Sequence, residues 1–429
     1  MAPAVWPAVL VSLLHNLSMG AAMNVWLDVC KVVVGVGDDE LDVSKPQTYY
    51  GRLLAANAVC ELVTSQLVGV VSDKYGRRPV QVMAQLGQVI DYGIAGLVLP
   101  TLGIVREIPA DVAEYLLFCS RGIAGFCGNY KVTLQSYTAD ISSAEECPTN
   151  LAALGGAMVA GMCLGAVLVG LVESGGVSFR ACFFTSAFLN VCIMVIVMGI
   201  WRDIAPRKNY RCPEANPFAG MKLLASSTAM VIYSALIFLS SFALNMYVST
   251  LAFYCEDILK MEKHYFLALG FVWAFESLIS LAVVQPILTQ RFGEIPTLLI
   301  SFTSLTIFYL LFSILTPNTW GWAYVIIIFF SIGSMCYPIA VGLATRELPP
   351  EQQGQLQGAV SVLETTAKIF APLIASDVLI PMFDKPGDFH GAVYFVAAVL
   401  MMPGMALSHQ LQRHTCVVDP NAQVQLEMQ

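Results

Sequence analysis

The sequence predicts an all-α, polytopic membrane protein with twelve transmembrane helices in two pseudo-symmetric bundles of six. Three observations predict it. Of 429 residues, 57% are hydrophobic and only 12% charged, against roughly 45–50% and 25% in ordinary soluble domains. Apolar stretches of about twenty residues, long enough to cross a bilayer, recur twelve times. A polar, proline-containing segment near the midpoint leaves six of them on each side. With so little polar surface, the chain's main partner is the lipid bilayer, and the long uniform runs exclude the alternating pattern of a β-barrel.

The first six spans begin near Val5, Tyr49, Pro79, Glu114, Leu151 and Arg180. "MAPAVWPAVLVSLLHNL" has no basic leader and runs on as the first span, so no cleavable signal peptide is expected. The sequon at Asn16 falls inside that span, out of reach of glycosylation. Between the second and third spans stands a knot of charge, "GVVSDKYGRRPV", from Gly69 to Val80. "WRDIAPRKNYRCPEANPFAG", residues 201–220, reads as a linker. The domains expected are therefore 1–200, a bundle; 201–220, the linker; 221–415, a second bundle; and 416–429, a tail. The next six spans begin near Met230, Tyr265, Pro296, Trp320, Gly358 and Gly391.

The halves echo each other. "SDKYGRR" follows the second span and "TQRFGEI" the eighth, so that Lys74 corresponds to Arg291 and Gly76 to Gly293. Parallel repeats with an even number of spans are typical of secondary transporters. Loop charge sets the orientation. With both termini in the cytoplasm, inside loops hold Lys74, Arg77, Arg78, Arg202, Arg207, Lys208, Arg211, Arg291, Arg346 and Arg413. Outer loops then hold only Lys45, Arg106, Lys260, Lys263 and Lys385, which is the asymmetry the positive-inside rule expects.

Other classes of function fare poorly. The net charge of −8 argues against a nucleic-acid partner. No phosphate loop, metal-spaced His/Cys cluster or nucleophile elbow occurs, so neither an enzyme nor a cofactor is expected. Most of the twelve cysteines fall within spans without CxxC spacing and read as small buried thiols.

Gly69, Asp73, Lys74, Gly76, Arg77 and Arg78 resemble the major facilitator superfamily signature G-x-x-x-D-[RK]-x-G-R-[RK], and they lie at the matching place between the second and third spans. Arg121 with Gly125 in "RGIAGFCG" is similar to that superfamily's fourth-span element. "GRRPVQVMAQLGQVIDYGIAG", "GMCLGAVLVG" and "GQLQGAVSVLETTAKIFAPL" are similar, in order and spacing, to segments of its tetracycline-efflux and drug–proton antiporter branch. The resemblance implies the major facilitator fold and alternating access of a small-molecule solute, with protons as a further partner and export as the direction. It also implies that Asp73 meets the start of the eleventh span near Gln355–Gly358, that Arg77 pairs with Asp140, and that the knot acts as a latch on the cytoplasmic side. The alternatives left open are a topology signal only for the knot, and, for the chain, a facilitator or importer without proton coupling or a non-transporting sensor. The chain departs from the branch in three places: Ala166 replaces the fifth-span proline, His15 stands where a first-span acid is usual, and the ninth span has no acid.

Charges within spans are the remaining candidates for substrate and proton sites. Glu61, Asp91, Arg121, Glu276, Glu364 and Lys368 each cost roughly 3 kcal/mol or more at membrane depth unless paired or wet. Glu61 lies twelve residues before Asp73, and Asp91 twelve after Pro79. At about 1.5 Å per residue both sit roughly 18 Å from the same face, near the midplane. Arg121 reads equally as a structural partner of Glu61 or Asp91 and as a coupling group. Glu364 and Lys368 stand four apart, acid first, in the order that favours a pair on one helix face. His15 reads as packed and hydrogen-bonded or as a titrating group. A monomer is expected.

Overall fold

The computed structural model describes residues 5–34, 44–99, 108–128, 130–142, 147–201, 221–348, 353–383 and 389–418. The linker segment 202–220 and the tail beyond 418 lie outside the described residues, as does the Asp73 side chain.

In the N-terminal half the first span is Trp6–Met23 continued by Trp26–Val34, the second Ser44–Tyr75 and the third Arg77–Val98. The fourth is Ala110–Phe126 continued by Tyr130–Ile141, with Gly128 at φ 100° in the break; the fifth is Cys147–Ser174 and the sixth Arg180–Ile200. In the C-terminal half the seventh runs Thr228–Phe253 and Tyr254–Ile258, and the eighth Lys263–Ile279, Ser280–Val284 and Gln285–Phe292. The ninth is Glu294–Ser313 and the tenth Ala323–Gly333 with Cys336–Arg346. The eleventh is Gln353–Leu373 with Ile374–Leu379 and Ile380–Met382, and the twelfth Ala392–Val418.

Among the described residues, nine of these helices are long and apolar enough by composition to cross a membrane. The other three are the second, third and fourth. Their departure has a chemical cause: Arg52 and Glu61 interrupt the second, Gln81, Gln85 and Asp91 the third, and Gly128 breaks the fourth.

Each half is built to one plan. The first span packs on the fifth and sixth as the seventh packs on the eleventh and twelfth, and the third packs on the sixth as the ninth packs on the twelfth. Across the halves, the second span meets the eleventh and the fifth meets the eighth, each contact the image of the other. Local chemistry repeats too. Gly76 (φ 96°) and Gly293 (φ 87°) open the third and ninth spans in a backbone conformation that a side chain would strain. Pro79 and Pro296 each stand third in the helix that follows, where no intrahelical hydrogen bond is lost.

Small residues set the tightest approach. A Cβ at Gly161 would lie 2.4 Å from the Leu13 carbonyl oxygen, and one at Gly165 would lie 2.5 Å from the Ala21 nitrogen. The fifth span therefore lies directly on the backbone of the first. The C-terminal core is filled instead by aromatic rings, with Tyr247, Phe308, Phe312, Phe330 and Tyr394 in mutual contact.

One feature belongs to the C-terminal half alone among the described residues. Tyr254–Ile258, Ser280–Val284 and Ile374–Leu379 are wide turns whose hydrogen bonds reach five residues back, such as Leu259 N–H to Tyr254 O at 2.8 Å. Such turns are rare and concentrate at functional sites.

Candidate functional site

The charged residues fall at three levels: a linker face where the chain crosses between halves, the middle of the spans, and the distal face.

At the linker face, Gly69 lies in the helical backbone of the second span, and the Lys74 side chain is exposed beside the Tyr75 ring. Gly76 makes the turn. Arg77 Nε donates to Asp140 Oδ2 at 2.9 Å and Arg77 Nη1 to Ser72 Oγ at 2.8 Å. Arg78 is half-buried. The Arg77–Asp140 bond ties the third span to the fourth within one bundle. The other bundle repeats it with charges exchanged: Arg346 Nη1, ending the tenth span, donates to Glu294 Oε2, opening the ninth, at 2.7 Å.

At mid-depth, Asp91 and Arg121 pair within the N-terminal bundle. The Asp91 carboxylate is fully buried, with Arg121 Nη1 3.1 Å from Oδ2 and Ser120 Oγ donating to Oδ1 at 2.9 Å. The guanidinium lies 3.8 Å over the Trp26 ring, and Gly125 lets the fourth span approach Asn57 on the second, where its Cβ would fall 2.2 Å from the carbonyl oxygen. The Glu61 carboxylate faces the other way. Lys368 Nζ, from the eleventh span, lies 3.5 Å from Glu61 Oε1 and joins the halves. The Lys368 side chain is 39% accessible although it stands mid-span. This corrects the expected Glu364–Lys368 pair. No such ion pair forms among the described residues, because Lys368 extends across the gap to Glu61 while Glu364 sits beside Tyr337 of the tenth span. An intrahelical pair is worth only about 0.3–0.5 kcal/mol, which a partner across the gap outcompetes. Glu276 is half-buried on the eighth span and accepts a bond from Ser331 Oγ at 3.4 Å. His15 is buried and lies 3.2 Å from Gln85 Oε1, stacked on Tyr130 at 3.4 Å between ring centres.

The distal face holds a network that sequence reasoning missed. Lys31 of the first span lies 2.8 Å from Asp257 and 3.8 Å from Glu256 of the seventh. Lys263, opening the eighth, bonds Asp28 of the first and lies 3.3 Å from Glu256. Arg52 of the second reaches Asp377 of the eleventh at 2.8 Å. Around these, Gln47 Nε2 donates to Ser249 O at 2.8 Å and Thr48 Oγ1 to Ser376 O at 2.9 Å. The pairing is crossed, a base and an acid from each half. On separation, Asp28 with Lys31 and Glu256 with Lys263 can each neutralise one another within their own half, whereas Arg52, Asp257 and Asp377 lose the partners they have across the seam. Glu256, Asp257, Ser376 and Asp377 all stand on wide turns. The sequence held one signal: acids end the seventh span while a base sits at the matching end of the first.

The arrangement is a clamp closed at the distal face, bridged at mid-depth by Glu61 and Lys368, and tied within each half at the linker face. The Major Facilitator Superfamily model matches residues 6–372. The tetracycline resistance protein, class C, of Escherichia coli is 25% identical over 380 residues, covering 87% of this chain and 90% of that protein. The class D protein of Salmonella ordonez is also 25% identical, over 372 residues, covering 86% and 87%. Among solved structures, the human organic anion transporter MFSD10 (TETRAN) aligns with a TM-score of 0.69 at 16% identity, over 94% of this chain and 98% of that one. The nucleoside transporter NupG aligns with a TM-score of 0.71 at 14% identity, over 94% and 98%. At such identities these structures speak for the fold alone.

Proposed function

The chain belongs to the Major Facilitator Superfamily, a family of secondary transporters that carry small molecules across membranes, and from that premise we propose that it exports a small organic, amphipathic solute in exchange for protons. It acts as a monomer with both termini in the cytoplasm. The distal face is then external, and the structure is the state closed to the outside. The observation that carries the reading is the Glu61–Lys368 pair, a mid-depth bridge between halves whose lysine is 39% accessible. A bridge between the halves spaced at 3.5 Å must open as they separate, and breaking it frees a carboxylate and an ammonium for a proton and a solute.

In this reading the halves rock about the contacts of the second span with the eleventh and the fifth with the eighth, and Gly69, Asp73, Lys74, Gly76, Arg77, Arg78 and Asp140 steady the linker face as it closes. Glu276, Glu364 and Lys368 supply charge near the solute's path, while the Asp91–Arg121 pair lies behind it, inside the N-terminal bundle. One feature favours a gradient-independent facilitator instead: the fifth span runs unbroken from Cys147 to Ser174, with Ala166 at the position of the antiporter branch's proline.

Flux of a panel of amphipathic solutes in proteoliposomes, with and without an imposed pH gradient, tests the proposal. Acceleration by the gradient is the expected result. Equal flux in both conditions would leave a facilitator, and absence of flux for every solute would leave a sensor.

A further inference from the structure

His15 is the meeting point of four spans of the N-terminal bundle. Its ring lies 3.2 Å from Gln85 Oε1 on the third and stacks at 3.4 Å on Tyr130 of the fourth, and Asn190 of the sixth faces it. Next to it on the first span, Asn16 donates to Ser12 O at 2.7 Å and accepts from the Tyr130 hydroxyl at 3.1 Å. All the side chains here except Tyr130 are buried to 2% exposure or less where stated: His15 at 2%, and Asn16, Gln81, Gln85 and Asn190 at 0%.

Several amide atoms on the third span are not satisfied by protein. Among the described residues, Gln81 Nε2, Gln81 Oε1 and Gln85 Nε2 have no hydrogen-bond partner. Left bare, each would cost about 1–3 kcal/mol, a sum that a marginally stable fold does not carry at one spot. Buried amides in this situation are bonded to internal water. The seam points somewhere. Gln81, Gln85 and Asp91 share the third span, so the unpartnered amides rise from the linker-face end, about 15 Å over ten residues, toward the Asp91–Arg121 pair. Tyr92, buried and next to Asp91 on the third span, has Arg121 and Tyr130 nearby and carries the line onward.

We propose that the interior of the N-terminal bundle is a hydrated proton path, separate from the solute's route between the halves, in which His15 is the relay group. A proton enters from the linker face along waters held by Gln81 and Gln85 and binds a ring nitrogen of His15, giving the imidazolium. It then leaves to the Asp91 carboxylate through water and the Tyr130 and Tyr92 hydroxyls, restoring neutral His15 and releasing Arg121 from its partner. The groups that face this line are His15 from the first span, Tyr50 from the second, Asp91 and Tyr92 from the third, Arg121 and Tyr130 from the fourth, and the uncharged Asn190 from the sixth. The relay rests on the proton-coupled reading above, whereas the hydration does not.

Hydroxyl-radical footprinting of the wild-type protein tests hydration directly, because buried water generates radicals next to the side chains it touches. His15 is expected to oxidise several-fold faster than Phe302 and Phe308, which are equally sealed but lie in an apolar core. Oxidation of His15 as slow as that of Phe308 would overturn the inference whatever transport does. Stimulation of flux by a pH gradient tests the relay, and His15→Gln is expected to abolish most of it, since a positioned proton-transfer group contributes about 10²–10⁴-fold. A hydrated His15 whose glutamine variant responds to the gradient like the wild type would overturn the relay. A wild type indifferent to the gradient would instead defeat the coupling on which the relay depends, and the footprint would still say whether the path is wet.

Discussion

Glu61 and Lys368 stand 307 residues apart in the chain and 3.5 Å apart in space, one from each bundle. Since Lys368 is 39% accessible and Glu61 12%, the pair is neither a dry structural bridge nor a surface contact. Its 3.5 Å separation suits a contact between halves that opens and re-forms.

Glu61→Gln and Lys368→Met are therefore expected to leave the thermal unfolding temperature within a few degrees of wild type and to abolish most solute flux. Exchange of the two charges, Glu61→Lys with Lys368→Glu, should recover the folded yield but only part of the flux. Full flux in either single variant would make the pair incidental.

The distal network makes a different forecast. Lys263→Gln removes one arm of the crossed pairing, worth about 1 kcal/mol for such partly exposed charges, and should shift the closed-to-open ratio about fivefold toward open. Spin labels at the exposed Val32 and Phe389 would report it as a longer inter-half distance. An unchanged distance distribution would mean that the apolar contacts hold the face shut without the charges.

At the linker face the two mirrored clamps should differ in weight. Arg77 and Asp140 are 16% and 23% exposed, whereas Arg346 is 71% exposed. Arg77→Ala should lower stability by about 1–2 kcal/mol, as for a half-buried charged hydrogen bond, and Arg346→Ala by a few tenths at most. Denaturant titration of the two variants side by side decides the order.

Packing of the fifth span on the first gives the sharpest structural prediction. Gly165→Leu forces a side chain into the backbone of Ala21 and should cost several kcal/mol or block folding, beyond the usual overpacking range of about 1–3 kcal/mol. Gly155→Ala and Gly156→Ala, which meet nothing within 4 Å, should fold and unfold like wild type. Yield of monodisperse protein separates the two classes.

Much of this architecture is legible in the sequence because lipid is a harsh selector. The spans announce themselves by apolar length, and Gly76–Pro79 repeats at Gly293–Pro296 because both sites make the same turn into a helix. The candidate site is legible only in part. Arg121 could be read as a partner of Glu61 or of Asp91, which share a depth, but the choice between them and the partner of Lys368 depend on which helix faces lie opposite, and the tie to Glu61 spans two halves whose relative placement no local pattern encodes. The distal charges escaped notice for a similar reason. Asp28, Lys31, Glu256 and Lys263 each look like ordinary residues where a helix leaves the membrane, and only the meeting of the first and seventh spans turns them into a network.

The wide turns have a mechanical consequence. A helix with a five-back turn holds one residue more than its ordinary pitch accommodates, so it can shift or twist locally by trading hydrogen bonds instead of losing them. Among the described residues these turns occur at Tyr254–Ile258, Ser280–Val284 and Ile374–Leu379 and nowhere in the N-terminal half. One jaw of the clamp is thus hard and the other compliant. A hard surface closing on a yielding one seals without close registry, in the way a gasket tolerates a worn flange, so the distal seam can re-form after each stroke even when the two bundles return at slightly different angles.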